Sequence, residues 1–205
     1  MSRVSAILLA AGGGSRFGGG KLLAPFRGRP LIEWSLSELE GAPVDEVIAV
    51  LGADAERLRP LCEARGARTV LNADWKSGMA TSVLAGLRAC APEAEAAVVL
   101  LADQPLVGSG AVERLVEAFR RGAEVAVATY GGEAINPVLF AREVWPLLHR
   151  ELAGDRGARG ILRRYPELVV EVPCDAVADP ADVDTAEDLR YLEELSTRGG
   201  RRSWA

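Results

Sequence analysis

The chain has 205 residues, 24 of them basic and 29 acidic, with a formal net charge of −5 at pH 7. A single histidine, His149, excludes a multi-His metal centre, and so acidic a body argues against a general nucleic-acid surface. No apolar run nears the roughly 20 residues of a membrane span, and three scattered cysteines (Cys62, Cys90 and Cys174) build neither a disulfide framework nor a zinc ribbon, so a reducing cytoplasm is the expected compartment.

The predicted elements alternate. Val4–Ala10 is a short apolar run that ends in glycines, as a buried strand feeding a loop does and a signal peptide does not. Pro30 opens a helix through Leu39, stopped by Gly41. A strand at Val47–Leu51, a helix at Ala55–Ala64, a strand at Arg68–Leu71 and a helix at Met79–Ala89 follow. Ala96–Ala102 is the most apolar strand, and Ser109–Arg121 an amphipathic helix with Val112, Leu115, Val116 and Phe119 on one face. Glu124–Thr129 and Pro137–Phe140 read as strands, Val144–Leu152 and Ala158–Tyr165 as helices, Leu168–Val172 as a strand and Thr185–Leu195 as a closing helix. Strands at intervals of about 30 residues imply βαβ units, hence a three-layer α/β/α sandwich with a Rossmann-like, mostly parallel sheet. Residues 1–195 are expected to form one domain and 196–205 a disordered tail.

The richest segment is Leu9-Ala10-Ala11-Gly12-Gly13-Gly14-Ser15-Arg16-Phe17-Gly18-Gly19-Gly20-Lys21, at the carboxyl end of the first strand, where open α/β sheets bind ligands. Glycines let backbone N–H groups approach an anion closely, and Arg16 and Lys21 add two cations. Lys21 is one of only two lysines beside 22 arginines, so it draws notice as a place where a compact ammonium is wanted rather than a planar fork. A dinucleotide fingerprint starting at Gly12 would need glycine where Phe17 stands, and a Walker A loop would need glycine at Ser15 and Ser or Thr at Leu22. The run L-A-A-G-x-x-S-R-F-G-x-x-K resembles the signature of MobA-like nucleotidyltransferases, above all the molybdenum cofactor cytidylyltransferases. The resemblance spans about Val4 to Leu195 and implies a nucleotide-diphospho-sugar transferase type of fold. It also implies that Leu9 to Ser15 wrap the nucleotide and that Arg16 and Lys21 meet its phosphates.

Leu100-Leu101-Ala102-Asp103-Gln104-Pro105 sets an acid just past an apolar strand, the natural anchor for Mg²⁺ beside a phosphate loop, although a turn Asp before proline reads the same way. Asp182-Val183-Asp184-Thr185-Ala186-Glu187-Asp188-Leu189 offers the second acid, or simply the cap of the last helix. L-x-D-Q-P resembles the family's metal-binding element, and D-x-D-T-A-E-D-L resembles a family run in which Pro stands at Ala186. Together they imply Asp103 and Asp184 as the Mg²⁺ ligands.

Asn72-Ala73-Asp74-Trp75-Lys76-Ser77-Gly78-Met79-Ala80-Thr81-Ser82 resembles the family's N-x-D-W-x-x-G-M-x-x-S element, which implies that Gly78, Met79 and Ser82 approach base and ribose; ordinary helix-start chemistry with Ser77 as cap is the other reading. Asn136-Pro137-Val138-Leu139-Phe140 resembles a strand facing the acceptor, with Asn136 where family members often carry His. Gly154-Asp155-Arg156-Gly157-Ala158-Arg159 matches a G-D-x-G-A-R run, in which Asp155 and Arg159 serve either an acceptor-phosphate pocket or a plain helix start. His149, among Leu147, Leu148 and Leu152, is read as a structural or surface residue rather than a catalytic one.

The implied reaction is transfer of a nucleotidyl group from a nucleoside triphosphate to a phosphomonoester, with pyrophosphate released and Arg16, Lys21 and Asp103 as the working residues. Leu9-Ala10-Ala11-Gly12 resembles the L-A-A-G of the family's cytidylyl members rather than the L-A-G-G of its guanylyl members, so the resemblance implies CTP over GTP, with molybdopterin as acceptor and a molybdoenzyme or its chaperone as partner. A guanylyltransferase, a sugar- or polyol-phosphate nucleotidyltransferase and a non-catalytic accessory protein for a molybdoenzyme remain as alternatives. A nicotinamide dehydrogenase is disfavoured by Phe17.

Overall fold

A computed structural model describes residues 2–154 and 159–198. Its main sheet has seven strands: β1 (Val4–Ala10), β4 (Glu46–Leu51), β5 (Arg68–Leu71), β6 (Ala96–Leu101), β7 (Val125–Tyr130), β8 (Glu133–Ala141) and β9 (Val169–Pro173), in the order β5-β4-β1-β6-β8-β7-β9. A separate hairpin pairs β2 (Pro25–Phe26) with β3 (Arg29–Pro30). β1 is parallel to both β4 and β6, and β4 to β5. β8 pairs antiparallel with both β6 and β7, and β9 returns parallel to β7, so β8 alone runs against the other six.

Alternation along the central strands sends side chains to two cores. Ala6, Leu8 and Ala10 of β1 with Val98 and Leu100 of β6 face one side, covered by α1 (Leu31–Ser37), α2 (Ala55–Ala64), α4 (Gly108–Arg120) and α7 (Ala186–Arg198). Ile7, Val50 and Val99 face the other side, covered by α3 (Met79–Ala89), α5 (Trp145–Glu151) and α6 (Arg159–Arg164). Burial on both faces is why these strands are apolar on both sides rather than alternating in polarity; the buried exception in β1, Ser5, donates its hydroxyl to Glu46. The sandwich is the three-layer α/β fold expected of a nucleotide-diphospho-sugar transferase.

Most element boundaries lie within one or two residues of those expected from the sequence, α1 for instance beginning at Leu31 and ending at Ser37, and two differ by more. β8 spans nine residues rather than four, because a bulge between its pairings with Val127 and Ala128 sets Asn136 and Pro137 out of the ladder and hides the strand's first half from the apolar pattern. α7 continues to Arg198, three residues into the stretch expected as tail. No helix among the described residues is long and apolar enough to cross a membrane.

The order of the strands makes the site. After β1 the chain leaves toward β4, and after β6 it leaves toward β8 and β7. Neighbouring strands with diverging exits open a crevice at their carboxyl ends. α3 lies directly on the middle of β1: a Cβ on Gly86 would stand 2.4 Å from the Ile7 side chain. Gly86→Val is therefore expected to overpack this contact and lower stability by about 2–3 kcal/mol. Urea denaturation checks this, and an unchanged midpoint would contradict the packing described.

Candidate active site

The crevice is bounded by the loops after β1, β4, β5 and β6. The loop after β1 reverses at Gly14, whose φ of 59° favours glycine and whose carbonyl accepts from the N–H groups of both Phe17 and Gly19. The reversal brings Lys21 back onto the start of the loop, where a Cβ on Gly14 would lie 2.9 Å from the Lys21 Cβ. Buried Leu22 and the bond from Leu31 N–H to the Ala24 carbonyl fix the chain just beyond. The β2–β3 hairpin follows. Its Phe26 packs edge-on against Trp34, whose Nε1 donates to the Phe26 carbonyl at 2.6 Å.

Asp103 follows β6. The Ala102 N–H donates to the Leu9 carbonyl, and the Ser35 hydroxyl donates to the Ala102 carbonyl at 2.7 Å. The segment before α7 is laid across this turn. The Val183 N–H donates to the Asp103 carbonyl at 2.9 Å, the Asp179 N–H to the Leu106 carbonyl, and Gln104 Nε2 to the Pro180 carbonyl. These three hydrogen bonds strap the segment before α7 onto the β6 turn and set where Asp184 stands relative to Asp103.

Asp184 does not cap α7. Thr185 and Asp188 form that cap between them: the Asp188 carboxylate accepts from the N–H groups of Asp184 and Thr185 and from the Thr185 hydroxyl, while the Asp188 N–H donates to the Thr185 oxygen. The two sequence readings of this segment, cap and functional acid, thereby fall on different residues. The hydrogen bonds from Thr185 hold the Asp188 carboxyl below the usual carboxylate range.

Four charged side chains from three distant segments meet in the crevice. Lys21 Nζ donates to Asp103 Oδ2 at 2.6 Å and lies 3.5 Å from Asp184 Oδ1. An Arg16 guanidinium nitrogen donates to Asp184 Oδ2 at 2.5 Å. Exposure is graded: the side chain of Lys21 is 12% exposed, Asp103 24%, Asp184 40% and Arg16 76%. The inner pair is therefore shielded from solvent screening, while Arg16 acts from the rim. Two carboxylates that share one ammonium present hard oxygen donors to a common point, the donor chemistry that suits a small divalent cation with phosphate oxygens.

One wall of the glycine loop is Trp75, to which the sequence pattern assigns no role. A Cβ on Gly52 would come within 2.8 Å of its indole and 2.4 Å of the Ala11 carbonyl, and a Cβ on Gly13 within 3.2 Å of the ring. Only side-chain-free backbone lets the loops after β1 and β4 close on the ring. Lys76 Nζ sits 5.5 Å from the same ring centroid, on the exposed side. Buried Asn72 organises the approach to α3, donating from Nδ2 to the hydroxyls of Thr81 and Ser82 and accepting from the Asp74 N–H.

Of the other nominated residues, Leu9, Ala10, Ala11, Gly12, Gly13 and Ser15 lie along the end of β1 and its loop. Gly78 is buried, Met79 is exposed at the start of α3, and Ser82 is buried beneath it. Asn136 is half-buried at the β8 bulge. Arg159 begins α6, and Asp155 lies outside the described residues. His149 is exposed on α5. Burial pushes the thiols of Cys62, Cys90 and Cys174 up to about 11, which leaves none of them a ready thiolate at neutral pH.

The MobA-like NTP transferase domain model matches residues 6–170. The nicotine blue oxidoreductase of Paenarthrobacter nicotinovorans is 36% identical over 197 residues, which cover 92% of this chain and 96% of that one. A 2-C-methyl-D-erythritol 4-phosphate cytidylyltransferase of Gloeobacter violaceus is 32% identical, over 71% of this chain and 65% of its own. The crystal structure of Rv0371c from Mycobacterium tuberculosis H37Rv superposes with a TM-score of 0.82 at 31% identity, covering 94% of this chain and 98% of that one. A structure of Rv0371c in complex with manganese superposes with a TM-score of 0.79 at 27% identity, with the same coverage. The chain belongs to the MobA-like NTP transferase family, a family of nucleotidyltransferases.

The cap of α7 carries a pH signature. A carboxyl whose folded pKa is depressed stabilises the fold fully above its unfolded value, near 4, and loses that contribution as pH falls through the folded value. Asp188→Asn is expected to lower stability by the same amount from pH 7 down to pH 5, and the gap to wild type should close below about pH 4. Unfolding free energies measured across that range test it, and a gap that widens on acidification would contradict the assignment.

Proposed function

We propose that the chain transfers a cytidylyl group from CTP to a phosphorylated small-molecule acceptor of the molybdopterin type and releases pyrophosphate. The observation that carries this reading is the Lys21 ammonium held between Asp103 and Asp184 at the mouth of a glycine loop. Cations that can move to phosphate oxygens, beside paired carboxylates, are what a triphosphate site needs. The Leu9-Ala10-Ala11-Gly12 run and the cytidylyltransferase relative support CTP. GTP, and a sugar- or polyol-phosphate acceptor, are the alternatives within the class.

In this reading an acceptor phosphate oxygen attacks the α-phosphorus of the nucleotide. A new P–O bond forms as the bond to the bridging oxygen breaks, and that electron pair leaves with pyrophosphate. The acceptor phosphate is already ionised at neutral pH, so no protein base has to take a proton. Backbone N–H groups of the glycine loop hold the phosphates, and Lys21 and Arg16 neutralise charge that builds on the leaving group. Asp103 and Asp184 would hold a divalent cation, Mg²⁺ or Mn²⁺, and manganese in the Rv0371c complex supports that assignment. Such a cation supplies electrostatic stabilisation at phosphate oxygens. Trp75 closes one wall against the loop backbone at Gly13 and Gly52.

A second reading draws on the Paenarthrobacter relative, whose name is that of an oxidoreductase. Phe17 interrupts the dinucleotide fingerprint, and the three thiols are buried or half-buried and protonated, so neither a Rossmann-type nicotinamide loop nor a thiol couple supports it.

Asp103→Ala is expected to lower pyrophosphate release from CTP and acceptor by at least about 100-fold, in keeping with loss of a principal charge-positioning group. Unchanged release by the variant would sink the transferase reading. Oxidation of NADH or NADPH by the wild type, without pyrophosphate release from any nucleoside triphosphate, would replace it with the oxidoreductase one.

A further inference from the structure

Lys21 stands where the proposed reaction wants a metal ion. Its ammonium contacts Asp103 Oδ2 at 2.6 Å and reaches Asp184 Oδ1 at 3.5 Å, and Arg16 takes the other Asp184 oxygen at 2.5 Å. Two carboxylates thus face two cations, and the cluster has no net charge with which to attract a third. The more buried of the two cations is the one that touches both acids. From these contacts we infer that Lys21 is an internal counter-ion that competes with the divalent cation for Asp103 and Asp184, so the free protein binds that cation weakly and gains affinity for it when Lys21 is drawn away. The inference rests on the nucleotidyltransferase reading of the site.

The local structure suits such an exchange. The Lys21 backbone is fixed by the packing of its Cβ on Gly14 and by the burial of Leu22. The charge itself sits at the end of a stem with four rotatable bonds, so the ammonium can change partners without moving the loop. Phosphate oxygens in the glycine loop would be new acceptors for it at the same mouth of the crevice. A guanidinium would serve less well, because a planar fork engages one carboxylate by both oxygens, whereas a point charge lies between two. That is a physical reason for a lysine in a chain whose basic residues are otherwise almost all arginine. Coupling of this kind is reciprocal: a cation that displaces Lys21 from the carboxylates also frees it for the phosphates.

The test is a titration of the metal-free full-length chain with Mn²⁺ alone, followed by loss of the free-ion electron paramagnetic resonance signal. Wild type is expected to bind weakly, and Lys21→Met, which keeps the length of the stem without its charge, at least tenfold more tightly in the absence of nucleotide. Lys21→Gln serves as the second variant, with thermal melting to show that each is folded. Asp103→Asn added to either variant should abolish the gain. Binding of Mn²⁺ by both lysine variants no tighter than by wild type would overturn the inference and leave Lys21 a structural ion pair. No turnover enters this measurement, so its failure is distinct from failure of the transferase reading, which is decided by pyrophosphate release.

Discussion

The contact between Lys21 and Asp103 joins residues 82 positions apart, and the site depends on it. It needs a glycine loop that doubles back, a central strand that ends at the same height as β1, and a strap that delivers a second carboxylate. Each requirement is met by backbone structure rather than by the charged groups themselves. The register that pairs Leu9 with Leu101 brings the two loops level, and the Ala102 N–H on the Leu9 carbonyl ties them. The Val183 N–H on the Asp103 carbonyl then places Asp184 beside the pair. An ion pair with only partial access to solvent is costly to leave half-made, so the cluster also favours the closed arrangement of these loops.

The division of labour around α7 follows from the same economy of groups. A helix start needs an acceptor for its free N–H groups, and an acid so used cannot face a ligand. Thr185 and Asp188 satisfy the helix reciprocally, which leaves both oxygens of Asp184 for Lys21 and Arg16. Gln104 does comparable work on the other side, where its Nε2 holds the strap at Pro180. The side chains that meet in the crevice are therefore few, while the residues that aim them are many and lie in turns.

Much of the fold is legible in the sequence because its physics is local. Ala96–Leu101 is a continuous apolar run and Val4–Ala10 one broken only by Ser5, as suits doubly covered strands, and Ala55–Ala64 and Met79–Ala89 have the helical period. β8 is less visible, because Asn136 and Pro137 break its pattern at a bulge that only the partner strand explains. The β2–β3 hairpin is too short to carry a period at all. In the site, Arg16, Lys21 and Asp103 can be picked out by residue type and by their place after strands, and Asp184 by its place before the last helix and by the resemblance of its run. Their mutual contacts, and the use of Trp75 as a wall, arise from packing between segments and have no signature along the chain. The small residues Gly13 and Gly52 are the one trace of that wall, and they mean nothing until the indole that needs the space is known.

The central claim is that one ammonium serves the two carboxylates in the free protein and the phosphates in the working one. The most direct measurement is a crystal structure of the full chain with Mn²⁺ and a non-hydrolysable CTP analogue. Lys21 Nζ is expected on phosphate oxygens of the analogue, with Asp103 and Asp184 both turned to the metal. Lys21 still paired to Asp103, with the triphosphate bound away from the glycine loop, would contradict it.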